Sequence, residues 1–183
     1  MLFALLPAAC SRPAATSVPE EGKSYFQVSD RLSNQRVNAF AEDADGHIWI
    51  GTFRGLDKYT IHDYHQYFSI ADTLGLPDNQ ITALCCSASG RLWVGTPFGA
   101  AVRMEDGSFR QVPILGDSRE ISQIQESRDG RMLFNTSGML LSYDEAADCI
   151  RPVVSDFGGY QSVIGQDGRI WTVDGDGVRL YNF

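Results

Sequence analysis

The sequence predicts an all-β fold: a β-propeller of four-stranded antiparallel blades, about four of them, forming an incomplete, open part of a larger ring. Three observations carry this expectation. First, one phrase recurs. DGHIWIGTFRGLDKY at 45–59 returns as SGRLWVGTPFGAAV at 89–102, as DGRMLFNTSGMLLSY at 129–143 and as DGRIWTVDGDGVRLY at 167–181. Second, its turn glycines, Gly46, Gly90, Gly130 and Gly168, are spaced by 44, 40 and 38 residues, and a β-rich unit of about 40 residues is the signature of a propeller blade. Third, the lead-in repeats as well: YFQVSDRLSNQRV (25–37) and YFSIADTLGLPDNQI (67–81) share an order of aromatic, apolar, Asp, Leu, Asn, Gln and apolar residues. Residues 25–28 are therefore an outer strand with no blade before it, and the fourth repeat stops before a fourth strand. An uncompleted blade leaves an edge of unpaired N–H and C=O groups, which further blades or ring closure must satisfy. A closed four-bladed ring, with 25–28 beside Val178–Tyr181, is the alternative.

Within a blade the strands are named a to d. In the first blade Val37 to Glu42 alternates apolar and polar residues and reads as strand a. Asp43-Ala-Asp-Gly46 is a hairpin turn whose glycine suits positive φ. His47 to Thr52 is b, Leu56 to Thr60 is c and Tyr64 to Ser69 is d. The second blade gives Ile81–Cys86, Arg91–Thr96, Ala100–Met104 and Phe109–Ile114, and the third Ile121–Glu126, Arg131–Asn135, Met139–Tyr143 and Ile150–Val154. The fourth gives Tyr160–Ile164, Arg169–Val173 and Val178–Tyr181. The domain reading is a signal remnant at 1–10, a polar linker at 11–24 and propeller repeats at 25–183, with blades at about 37–69, 81–114, 121–154 and 160–183.

Composition narrows the function. An apolar fraction of 43% supports a packed core, while a net charge of −8 without a basic stripe argues against nucleic-acid binding. No run of 18 apolar residues occurs, so any membrane association runs through a lipid anchor or a downstream segment. MLFALLPAAC at 1–10 resembles the end of a bacterial secretory signal of the lipoprotein type, with Cys10 as the acylated residue. The expected location is the periplasm or cell surface.

Cys85 and Cys86 point to opposite faces of one strand and are not expected to pair with each other. With Cys149 they read as buried small hydrophobes, a disulfide to Cys149 being the alternative. The bulky b-strand residues Trp49, Trp93, Leu133 and Trp171 read as core between neighbouring sheets. His47, His62 and His65 read as surface or satisfied residues without a carboxylate or cysteine cluster beside them, so no metal is expected. Asp43–Gly46 and Asp174–Gly177 resemble calcium loops but lack the 12-residue frame and closing Glu. No catalytic constellation, G-x-S-x-G, H-E-x-x-H or phosphate-binding loop occurs, so neither an enzyme nor a cofactor is expected.

VNAFAEDADGHIWIGTFRGLDKY and ITALCCSASGRLWVGTPFGAAV resemble the two-component regulator propeller repeat. They share a β-branched start to strand a, Asp/Ser-Gly, an aliphatic–Trp–aliphatic triplet and Gly-Thr; Gly-Leu and a terminal Tyr complete the pattern in the first. The third repeat departs at Leu133 and Asn135, and the fourth loses Gly-Thr. The resemblance implies a seven-bladed ring and an extracytoplasmic sensor for carbohydrate breakdown products in a hybrid histidine-kinase system, here as an N-terminal fragment. The alternative is an exported propeller lipoprotein acting as a binding scaffold without a kinase. Expected partners are a small molecule or oligosaccharide, further repeats or the kinase region of a longer protein, and a second copy as a homodimer.

Binding usually resides in variable loops on a fixed scaffold. The a–b turns are short and repetitive, whereas the b–c and d–a connections, which share one end of the ring, vary. The candidate ligand residues are therefore Phe53, Arg54, Asn79, Gln80, Phe98 and Arg119. The aromatics and amides suit a sugar, and the arginines suit an acidic one.

Overall fold

The computed structural model describes residues 32–60, 64–67, 75–115, 119–157, 159 and 161–182. The readings of residues 1–28, including Cys10, and of His62 lie outside them. Among the described residues, fifteen strands form four sheets. The first holds β1 (Val37–Glu42), β2 (Ile48–Thr52), β3 (Gly55–Tyr59) and β4 (Tyr64–Tyr67). The second holds β5 (Ala83–Cys86), β6 (Leu92–Thr96), β7 (Gly99–Arg103) and β8 (Phe109–Val112). The third holds β9 (Gln123–Glu126), β10 (Met132–Asn135), β11 (Leu140–Asp144) and β12 (Cys149–Val154), and the fourth β13 (Ser162–Ile164), β14 (Ile170–Asp174) and β15 (Gly177–Tyr181). Each sheet is an antiparallel meander in chain order, and the strands lie where the repeated phrase places them.

One device joins consecutive blades. The carbonyl of Thr52, at the end of β2, accepts the N–H of Ile81 at 2.9 Å, and the carbonyl of Thr96 accepts that of Ile121 at 3.0 Å. Each isoleucine then seats on the glycine before the threonine. A Cβ at Gly51 would stand 2.6 Å from Ile81 Cγ2, and one at Gly95 would stand 2.7 Å from Ile121 Cγ2. The Gly-Thr pair is thus an inter-blade socket. In the third blade Asn135 takes the glycine's place and Gln123 the facing alanine's. The buried Asn135 Nδ2 donates to Gln123 Oε1 at 3.0 Å and contacts Ser162 Oγ at 3.0 Å, so a polar network replaces the apolar seat between blades 3 and 4.

The b-strand aromatics fill the inter-blade cores. Trp49 is 0% exposed and meets Phe109 of the second blade edge-on at 6.3 Å. Trp93 is 2% exposed and packs on Phe134 and Tyr143 of the third blade. Leu133 joins Ile170 and Phe157. Trp171 departs from the expectation, being 44% exposed. Its register partners Val163 and Leu180, together with Val173 and Val178, are exposed with it. Among the described residues no sheet lies against this face, so the tryptophan has nothing to pack between.

The cysteines occupy opposite faces of β5 as expected. Cys85 packs against the core between blades 2 and 3, and Cys86 against that between blades 1 and 2. Both are free, as is Cys149, so the alternative disulfide is absent. Burial first, with Glu126 beside Cys85 and Asp43 beside Cys86, pushes both thiols up to about 11. They remain protonated and unreactive at neutral pH.

Candidate functional site

The b–c turns are clamped by the same threonines that end the b strands. Thr52 Oγ1 donates to the Gly55 carbonyl at 2.8 Å and accepts the Arg54 N–H at 3.2 Å. Thr96 repeats this with Gly99 at 2.9 Å and Phe98 at 3.2 Å. Gly55 and Gly99 close the turns at φ of 151° and 147°, which side chains rarely adopt. Arg54 and Phe98 therefore hold equivalent tip positions.

A cavity of about 320 Å³ opens beside the second of these turns, lined by Pro77, Phe98, Gln111, Pro113, Ile114 and Arg119 among others. It brings together two of the six expected ligand residues, Phe98 and Arg119, and adds Gln111 of β8, which was not among them. Phe98 is 66% exposed and offers an uncovered ring face. Such a face suits the apolar side of a sugar ring, and an exposed guanidinium suits a carboxylate. Phe53 and Arg54 lie at the neighbouring turn, outside this cavity. Phe53 is stacked under the Arg36 guanidinium at 5.0 Å, and its N–H donates to the Arg36 carbonyl at 2.9 Å. Asn79 and Gln80 lie on the lead-in to β5, where Asp78 Oδ1 accepts the Gln80 N–H at 2.6 Å and turns the chain.

The opposite end of the arc carries larger clefts that the sequence reading did not anticipate. One of about 820 Å³ lies between blades 2 and 3, with Ser87, Arg91, Trp93, Glu126, Arg131 and Arg151 in its wall. Another, of about 1250 Å³, runs from Asp43 and Trp49 past Arg103 and Arg110 to Glu145 and Asp148. The available signal was the arginine after the turn glycine, at Arg91, Arg131 and Arg169. Reading the a–b turns as purely structural hid it.

The a–b turn of the first blade corrects the reading of His47. Asp43, Asp45 and His47 offer ligand atoms all within 4.8 Å of one another, so carboxylates do stand beside the histidine. Their geometry is that of turn closure. Asp43 Oδ1 accepts the N–H groups of Asp45 at 3.1 Å and His47 at 3.0 Å, while Oδ2 accepts Trp49 Nε1 at 2.9 Å. Lys58 Nζ stands 3.8 Å from Oδ2. Burial raises the Asp43 carboxyl, but the hydrogen bonds from Trp49 and His47 outweigh it and hold its pKa below 3.8. A carboxyl whose folded pKa is depressed contributes stability that is present above its unfolded value, about 3.9, and lost as pH falls through the folded value. Asp43→Asn should therefore lower the melting temperature at pH 7 and flatten the acid limb below pH about 4. Parallel pH–melting curves offset by a constant would show that Asp43 does not titrate in this way.

A second clamp joins blades 2 and 3. Arg110 makes a two-pronged contact with Asp148, at 2.8 and 3.0 Å, and the Tyr143 hydroxyl donates to Asp148 Oδ1 at 2.7 Å. Asp148 holds a positive φ of 48° to reach them. These hydrogen bonds, that from Tyr143 first, lower its carboxyl pKa.

Residues 31–54 and 75–98 match the family model described as Two component regulator propeller, segments that run from the lead-in through strand b into the b–c turn of blades 1 and 2. No curated protein matches the chain. Among solved structures, the extracellular domain of a protein from B. thetaiotaomicron described as the hybrid two component system BT4673 is similar at TM-score 0.71 and 17% identity, over 82% of this chain and 21% of that one. The corresponding domain of BT3049 from the same organism gives 0.71 and 19%, over 87% and 23%. This chain thus spans about a fifth of those domains. Virginiamycin B lyase from Staphylococcus aureus gives 0.63 and 16%, over 83% and 58%. At these identities the likeness establishes the propeller fold, which serves sensor and lyase alike.

Proposed function

We propose that this chain, which carries two-component regulator propeller repeats, is part of the extracytoplasmic ligand-sensing propeller of a hybrid two-component signalling protein, and that its ligands are products of carbohydrate breakdown. The observation that carries the reading is the match of both well-kept repeats to that family. The fold it shares with extracellular domains of hybrid systems supports it. So does the apolar face of β13–β15, against which no sheet lies among the described residues, because the corresponding face of each earlier blade is covered by the blade that follows. A further repeat laid there would extend the arc towards a larger ring.

In this reading the ligand contacts the cavity at the b–c end. Phe98 supplies the stacking face, Arg119 the cation for an acidic sugar and Gln111 the amide hydrogen bonds. Threonine-clamped turns present Phe98 and Arg54 in fixed geometry, and binding is expected to be reported onward through contacts with further domains. The test is transcription from a reporter driven by the full-length protein in its host, with oligosaccharides added to the medium. The expected result is a response to at least one oligosaccharide that Phe98→Ala and Arg119→Ala both blunt at unchanged protein level. A full response in the double variant would remove the site from the proposal.

A further inference from the structure

The indole N–H of Trp93 is buried and has no hydrogen-bond partner among the described residues, and the side chain is only 2% exposed. Such a group is costly to leave unpaired, about 1–3 kcal/mol, and the first blade shows how the fold satisfies it. There Trp49 Nε1 donates to the carboxylate of Asp43, the residue that opens the a–b turn. In the second blade Ser87 opens that turn. Its hydroxyl is committed elsewhere: it accepts the Arg91 N–H at 3.1 Å and lies 3.2 Å from the Arg91 carbonyl and 2.8 Å from Ser89 Oγ. The side chain is also too short to reproduce the carboxylate. The acceptor present in blade 1 is missing from blade 2.

The missing acceptor falls beside an open cleft. Ser87, Arg91 and Trp93 together line the space of about 820 Å³ between blades 2 and 3. Most charges around it are already matched. Arg131 pairs with Asp129 at 2.7 Å, Arg151 with Asp144, and Glu126 accepts the Ala88 N–H at 2.6 Å. Arg91 is held more loosely, by an exposed Glu145 at 3.7 Å. Trp93, whose buried N–H lacks an acceptor, and Arg91, whose guanidinium has a weak partner, thus line the same cleft.

We propose that this cleft is a binding site for a small carboxylate. One carboxylate oxygen accepts from Trp93 Nε1, taking the place that Asp43 fills in blade 1, and the other pairs with Arg91, displacing Glu145. Entry requires the Ser87–Ser89 hydroxyl pair to part, a rotation of two small side chains. The site is separate from the Phe98–Arg119 cavity, on the opposite end of the arc, and does not depend on the sensing role.

The test uses the full chain labelled with nitrogen-15, sodium D-glucuronate as the probe and D-glucose as the neutral control, each at matched ionic strength. The Trp93 indole N–H signal is identified by its loss in Trp93→Phe. Glucuronate, but not glucose, is expected to move that signal downfield and saturably. In Ser87→Asp, which restores the internal carboxylate, the signal should already be shifted before ligand is added. Glucuronate affinity should then fall at least about tenfold, the effect of losing one charge-assisted hydrogen bond. Arg91→Gln should weaken binding while leaving the free signal unmoved. An indole signal that does not respond to glucuronate, that responds equally to glucose, or that responds with unchanged affinity in Ser87→Asp would overturn the proposal.

Discussion

Trp49→Ala is expected to destabilise the protein by about 3–5 kcal/mol, the range for removing a fully buried large aromatic. Several losses add up at this position. The ring fills the core between blades 1 and 2, against Leu56, Leu84 and Phe109. Lys58 and Arg103 lie 5.2 and 5.3 Å from its centre, cations stacked on an indole, each contact worth about 0.5–2 kcal/mol. Its N–H is also one of the donors that hold Asp43 ionised. For a chain of this size each kcal/mol moves the melting point by about 2–4 °C, so the variant should melt on the order of 10 °C below the parent. Arg54→Ala, at an exposed turn tip, should melt within about 1–2 °C of it. A Trp49→Ala protein with the parent's melting curve would mean that the inter-blade cores do not hold the arc together.

Gly51→Ala tests the socket between blades. The added methyl would stand 2.6 Å from Ile81 Cγ2 and 3.0 Å from Ile81 Cβ, with Ala39 Cβ at 3.4 Å. The two Ile81 atoms belong to a buried β-branched residue whose N–H is tied to Thr52, so neither its side chain nor its backbone can yield freely. Overpacking of this kind costs about 1–3 kcal/mol. The specific expectation is coupling. Ile81→Ala alone leaves a cavity, at about 2–5 kcal/mol. The double variant should be less destabilised than the two single changes added together, because each relieves the fault of the other. Urea unfolding of the four proteins measures this directly. Strict additivity would show that Gly51 is a glycine for some reason other than the isoleucine seated on it.

The repeat made the fold legible. The turn glycine, the apolar b strand and the Gly-Thr pair recur in step, and each feature serves local geometry. What the repeat encodes in pairs was harder to read. Gly51 means little without Ile81, 30 positions on, and Asn135 looked like decay of the motif until Gln123 and Ser162 closed around it. Trp171 was misjudged because burial belongs to a strand's neighbours as well as to its own sequence. The candidate site was only partly legible for the same reason. Loop variation pointed to Phe98 and Arg119, whereas Gln111 sits on a strand, where nothing marks it as facing a cavity. The unpaired Trp93 N–H was invisible because its cause is a substitution six residues earlier, Ser87 where the first blade has Asp43.

Direct binding tests the central claim most closely. Calorimetric titration of the protein with acidic and neutral oligosaccharides should show saturable binding of at least one. Phe98→Ala and Arg119→Ala should each weaken it by about tenfold or more, with melting temperatures unchanged. Binding that survives both substitutions intact, or that is lost only in Trp49→Ala while that variant melts like the parent, would contradict a scaffold of buried tryptophans carrying its ligand site on the b–c turns.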